Sequence, residues 1–182
     1  LPYAEKSKLL GAQGDFILAE KAAKKAVELD SNSPESWISL GDVQYAFGKV
    51  KRAQESFDKS LNIDSNLAEA HIGKAKTLIS QFYNDSAIEE FLSAVLLEPN
   101  LARAHLYLGQ AYYQNKETKK AISEIQEARR IDPKDPLVLN SLSIIYDVAH
   151  EYGMAFELDE ETIDLTPNLL EAGARQSRNL SV

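Results

Sequence analysis

The chain has 182 residues, 44% hydrophobic and 26% charged, with a net charge of −8, so it carries enough apolar material to bury a core. Its deficit of Lys and Arg excludes a chain built to wrap nucleic acid, and the absence of cysteine excludes disulfides, thiolate metal sites and a cysteine nucleophile while leaving the compartment open. No run approaches the roughly 20 apolar residues of a membrane helix, so no membrane insertion is expected. The chain starts at Leu1 rather than Met and stops inside a helical pattern, and it reads as a piece of something longer.

A period appears with the first elements and holds to the last. Ala19, Ala53, Ala87, Ala121 and Ala155 are spaced by 34 residues, and another small residue lies 12 before each: Ser7, Gly41, Ala75, Gly109 and Ser143. Ten residues after each alanine comes Leu29, Ile63, Leu97, Ile131 or Leu165. The copies are assigned to 1–33, 34–67, 68–101, 102–135 and 136–169, with 170–182 as the start of a sixth or a capping helix.

Within the second copy, Trp37, Leu40, Gly41 and Gln44 share one helix face, and Ala53, Phe57, Ser60, Leu61 and Ile63 mark a second helix. Gly48 between them is the expected stop. Ser33 with Pro34 and Asp135 with Pro136 provide an N-cap and a first helical residue whose missing N–H costs nothing. Each copy is therefore a helical hairpin, and the chain is all-α. Small residues at fixed positions let helices cross closely, so Ala87 and Ala121 are expected in tight contacts, with Ala70 exposed.

On these residues the sequence resembles the tetratricopeptide repeat family, with its pattern W-x₂-L-G-x₂-Y, A-x₃-F and P over 34 residues. Trp37, Leu40, Gly41, Ala53 and Phe57 match in the second copy, and Leu108, Gly109, Tyr112, Ala121 and Pro133 in the fourth. His71 and His105 take the tryptophan position. Gln44 and Ser65 depart from the pattern. The resemblance implies a right-handed superhelical solenoid of antiparallel helix pairs, forming a single array over 1–182, and a non-catalytic protein-binding role.

Signals for chemistry are weak beside this. His71 and His105 stand at equivalent repeat positions and His150 in a turn, so no two are spaced as a helical metal pair, and packing is the better reading. No phosphate loop, nucleophile elbow or HExxH occurs, and no cofactor is expected. Glu89/Glu90 and Glu160/Glu161 point different ways on a helix and read as solvated surface.

The first helix of each copy carries a second stripe, and here the copies diverge. It reads Glu35, Ile38, Asp42, Tyr45, then Glu69, Ile72, Lys76, Ile79, then Arg103, Leu106, Gln110, Tyr113, and finally Leu137, Asn140, Ile144, Asp147. In the resembled family these positions line a concave groove. The resemblance thus implies apolar rows of Ile38, Tyr45, Ile72, Ile79, Leu106 and Tyr113, with Asp42, Lys76, Arg103 and Gln110 as polar groups. Such a groove suits an amphipathic helix or an extended peptide of a protein partner. Alternatively these side chains only support neighbouring helices, and the chain is a spacer or self-assembly segment able to form homo-oligomers. The copy at 136–169 has seven acids and no base, which suggests either a site for a basic partner or a drifting terminal repeat.

Overall fold

The computed structural model describes residues 2–165, and its elements there are ten α-helices. They are α1 Tyr3–Ala12, α2 Phe16–Leu29, α3 Pro34–Ala46, α4 Val50–Ile63, α5 Ala68–Ser80, α6 Asn84–Leu97, α7 Ala102–Gln114, α8 Thr118–Ile131, α9 Pro136–Val148 and α10 Tyr152–Leu165. Each repeat copy contributes two consecutive helices, packed on each other. The chain divides into two compact units, one ending at Pro99 and holding α1–α6, the other beginning at Asn100 and holding α7–α10. The expected cap at 170–182 lies outside the described residues.

Helix starts follow local chemistry. The Asp15 carboxylate accepts from Leu18 N–H at 3.2 Å, the Ser33 hydroxyl from Ser36 N–H at 3.2 Å, and the Asp135 carboxylate from Leu137 N–H at 2.9 Å. These bonds satisfy N–H groups that a helix leaves without an internal partner. Between the two helices of each copy, one residue turns left-handed: Gly14, Gly48, Phe82, Lys116 and His150, with φ of 80°, 71°, 64°, 64° and 63°. The next N–H then reaches back to the first helix, as Lys49 N–H does to Gln44 O at 2.8 Å and Glu151 N–H to Tyr146 O at 2.8 Å. The same closing bond recurs from Tyr83 to Leu78 and from Glu117 to Tyr112. Only two of the five copies use glycine for it, so the turn is enforced by the helices around it rather than by local preference.

Close approach explains the small residues. A Cβ on Gly73 would come within 2.2 Å of the Phe57 ring, and one on Gly41 within 2.7 Å of the same ring. At Gly109 it would meet Ile125 Cγ1 at 2.4 Å and the Ala121 carbonyl oxygen at 3.0 Å. Phe57 is 1% exposed and sits with Ile38, Ala53 and Ala70 in one core cluster. Ala70 is therefore buried, contrary to its expected exposure, because the third position of α5 faces the ring of the preceding copy's second helix. Gln44 replaces an aromatic yet stays 6% exposed, since its side-chain oxygen accepts from the Ser56 hydroxyl at 2.8 Å.

Candidate interaction surface

The first helices of the copies pack side by side within each unit: α1, α3 and α5 in one, α7 and α9 in the other. Their second stripe is not uniformly open. Ile38, Ile72 and Leu106 are 8%, 5% and 2% exposed, so these three belong to the core and present little surface to a partner in the free chain. The sequence reading set them apart from packing; one helix position can face a neighbouring first helix as readily as the solvent, and here the neighbour wins.

What remains accessible on α3 and α5 is smaller and more polar. Asp42 is exposed, while Tyr45, Lys76 and Ile79 are half-buried. The Lys76 ammonium lies 4.9 Å from the centre of the Tyr45 ring, a cation–π contact that holds the lysine over the apolar row. The Tyr45 hydroxyl and the Ser80 hydroxyl are 3.1 Å apart, and Ser80 also donates to Lys76 O at 3.1 Å. These bonds pin the ring between two helices.

On α7 and α9 the surface is more apolar. Tyr113, Gln110, Gln114, Ser141, Ile144 and Ile145 line a cavity of about 220 Å³, and Gln110 Nε2 donates to the Ser141 hydroxyl at 3.0 Å across it. Along α9, Leu137 is 64% exposed, Ile144 48% and Val148 52%. Spaced by seven and four residues, they share one helix face, with Asp147 exposed beside them. Arg103 is exposed at the start of α7. Val148 was missed in the sequence because the stripe was read only to Asp147; its one-residue offset follows from the 3.6-residue turn.

His71 and His105 are tied into the scaffold. Trp37 Nε1–H donates to Ser31 O at 2.9 Å, and His71, one period later, donates from Nε2 to Ser65 O at 3.0 Å. Its Nδ1 donates to the Glu90 carboxylate at 2.6 Å, and Lys74 bridges Glu90 at 2.9 Å and Asp58 at 3.1 Å. Both ring nitrogens face acceptors, which only an imidazolium satisfies in full. The hydrogen bond to Glu90 accordingly holds His71 above the ordinary histidine range, with burial opposing it. Burial alone would raise Glu90, and the bonds from His71 and Lys74 outweigh it, keeping the carboxyl low. At the equivalent position of the fourth copy, His105 Nδ1 is 2.8 Å from the Glu124 carboxylate. Among the described residues no group of three or more His, Asp or Glu side chains is placed to hold a metal, and no helix is long and apolar enough to cross a membrane.

Helices in repeated pairs, crossing at small residues and joined by a recurrent left-handed turn, define a helix-pair repeat protein. The model of the tetratricopeptide repeat matches residues 5–68 and 74–136, and the chain belongs to that family. Its fold is generally a non-catalytic scaffold for protein interactions. Solved structures agree on the fold. A thermophilic repeat protein of Thermus thermophilus, TTC0263, superposes with a TM-score of 0.84 at 18% identity, covering 99% of this chain and 98% of its own. MamA from residue 41 to its end, of Desulfovibrio magneticus RS-1, has a TM-score of 0.74 at 24% identity over 91% of this chain and 93% of that one. YrrB, described as having an unusual peptide-binding site, has a TM-score of 0.66 at 21% identity over 97% and 91%. No curated protein matches the chain in sequence.

Proposed function

We propose that this chain is a non-catalytic scaffold that holds an amphipathic helix of a partner protein on the first-helix face, with the α7–α9 surface as the main seat. The observation that carries this is the exposed aliphatic row Leu137, Ile144 and Val148 beside the cavity at Tyr113 and Gln110. Three large aliphatic side chains aligned on one helix face are a costly surface to leave wet, and a helix with apolar residues at matching spacing would cover them. Arg103, Gln110 and Asp147 at the rim would orient the ligand more than hold it. On the other unit, Asp42, Tyr45, Lys76 and Ile79 offer a narrower and more polar seat, and Ile38, Ile72 and Leu106 act by positioning the helices beneath. The peptide-binding description of YrrB supports the reading by analogy of fold.

The test selects helical peptides from a displayed library on the intact chain, then measures the best one against variants. Ile144→Lys and Val148→Lys should each cost more than about 1 kcal/mol of binding while unfolding stability stays within about 0.5 kcal/mol. Leu106→Lys, by contrast, should lose stability together with binding. If both α9 variants bind like the wild type in a stable protein, the groove reading fails.

A further inference from the structure

A cavity of about 650 Å³ opens between α1 and α2, lined among others by Tyr3, Lys6, Leu10, Leu18 and Lys21. The 34-residue register shows what this face meets in other copies. Lys6 and Leu10 correspond to Leu40 and Gln44 of α3, each 6% exposed, and to Leu142 and Tyr146 of α9, 1% and 5% exposed. The second helix of the preceding copy packs on each of those first helices, α2 on α3 and α8 on α9. On α1 no preceding helix covers the face among the described residues, and Tyr3 is 41% and Leu18 48% exposed.

The lysines show which chemistry the face lacks. In the third copy Lys74 stands at the place of Lys6, and its ammonium meets two carboxylates: Glu90 of its own second helix at 2.9 Å, and Asp58 of α4, the helix laid over it, at 3.1 Å. In the first copy Ala22 takes the place of Glu90, so the hairpin supplies Lys6 with no carboxylate there. Lys21 reverses the sign of Glu55 and Glu89, its counterparts in the next two copies. Both lysines are exposed and make no ion pair among the described residues.

We propose that this face binds an acidic amphipathic helix of a partner protein, laid across α1 as α4 is laid across α5, with a carboxylate of that helix on Lys6. A helix is the shape that fills the same place at the α2–α3, α4–α5 and α8–α9 junctions. An acid is the chemistry, because Asp58 supplies it to Lys74. Apolar residues of the ligand flank the acid at helical spacing, as Leu61 follows Asp58 by three residues in α4 and packs against the core cluster that includes Ala70 of α5. Covering Tyr3, Leu10 and Leu18 removes apolar surface from water, and the two lysines select the sign of the ligand. The site belongs to the unit that ends at Pro99 and the exposed α9 row to the other, so mutation can address each by itself.

The test measures fluorescence anisotropy of a labelled, stapled helical peptide of about 16 residues on the intact chain, the staple holding a length that is marginally helical alone. The peptide carries Leu three and four residues to either side of a central Glu, and a second peptide has Lys in place of that Glu. The wild type should bind the Glu peptide saturably, more weakly in high salt, and should discriminate against the Lys peptide. Lys6→Glu should weaken the Glu peptide about five- to tenfold with helicity and melting unchanged, and should bind the Lys peptide in its place, because the reversed charges then match. Leu18→Ser should weaken both pairings. A wild type that binds neither peptide overturns the proposal, as do equal affinities for the two peptides or an affinity indifferent to Lys6→Glu. Ile144→Lys should leave binding of the Glu peptide unchanged; loss on that change with none on Lys6→Glu would move the peptide to the α9 row, overturning this site and keeping the proposed groove. Self-association of the chain that Lys6→Glu abolishes would overturn the partner helix in favour of a second copy.

Discussion

At the scale of single residues, His71 shows how one substitution rewires a repeat position. Where Trp37 donates one hydrogen bond, His71 donates two, to Ser65 O and to Glu90, and draws Lys74 and Asp58 into the same network. Its pKa is raised in the folded chain, so its contribution is full below the unfolded value of about 6.5 and is lost as pH climbs through the folded value. Denaturant unfolding from acidic to mildly alkaline pH should show stability falling across that window in the wild type, and the fall should be smaller in His71→Gln. An unchanged slope in the variant would assign the dependence to other groups. The sequence placed His71 correctly as a packing residue, but Glu90 was read as solvated surface. Nothing in a single helix says that a glutamate 19 residues away in the same hairpin will meet a ring nitrogen; the pairing exists only once the two helices pack. The same limit hid the burial of Ile38, Ile72 and Leu106, since period 3.6 tells which residues share a face and not what covers it.

At the scale of helices and turns, the cost of a side chain is decided by what lies across the crossing. Gly11 and Gly73 are both helical glycines, and nothing lies within 4 Å of a Cβ added at Gly11, whereas one at Gly73 would run into Phe57. Gly11→Ala should raise stability by about 0.5–1 kcal/mol through helix propensity, and Gly73→Ala should lower it by about 1–3 kcal/mol through overpacking. Ala87→Leu and Ala121→Leu fall with Gly73, both residues being 0% exposed, and exposed Ala46→Leu serves as their neutral control. Equal melts for all of these would refute the register. The turns offer the opposite opportunity. Phe82 holds φ 64° with its ring 88% exposed, so Phe82→Gly gives up little packing and removes left-handed strain, for a gain of about 0.5–1 kcal/mol in thermal or denaturant unfolding. Gly48 marked this turn in the sequence. His150 was also read in a turn, but Phe82 and Lys116 gave no such mark, because the bond that closes the turn belongs to the preceding helix and no side chain advertises it.

For the molecule as a whole, repetition is what made the fold legible, since a 34-residue spacing of small residues from Ser7 to Ala155 constrains five hairpins together. It is also what limits cooperativity: copies touch mainly their neighbours, so stability is a sum of copy and junction terms rather than one global quantity. The division into two compact units at Pro99 and Asn100 turns this into a measurable asymmetry. Trp37, the single tryptophan, sits in the first unit and reports that unit alone, whereas far-ultraviolet circular dichroism reports every helix. Leu139 in α9 is 0% exposed, and Leu139→Ala should cost about 2–5 kcal/mol through lost transfer energy and a cavity. In urea, the dichroism of that variant should acquire an early phase while Trp37 fluorescence keeps its wild-type midpoint. Phe57→Ala, which empties the core beneath Gly41 and Gly73, should do the reverse and move the Trp37 transition first. Should both probes shift together by the same amount in Leu139→Ala, the helices unfold as one cooperative body, and the nearest-neighbour account gives way to a single two-state transition.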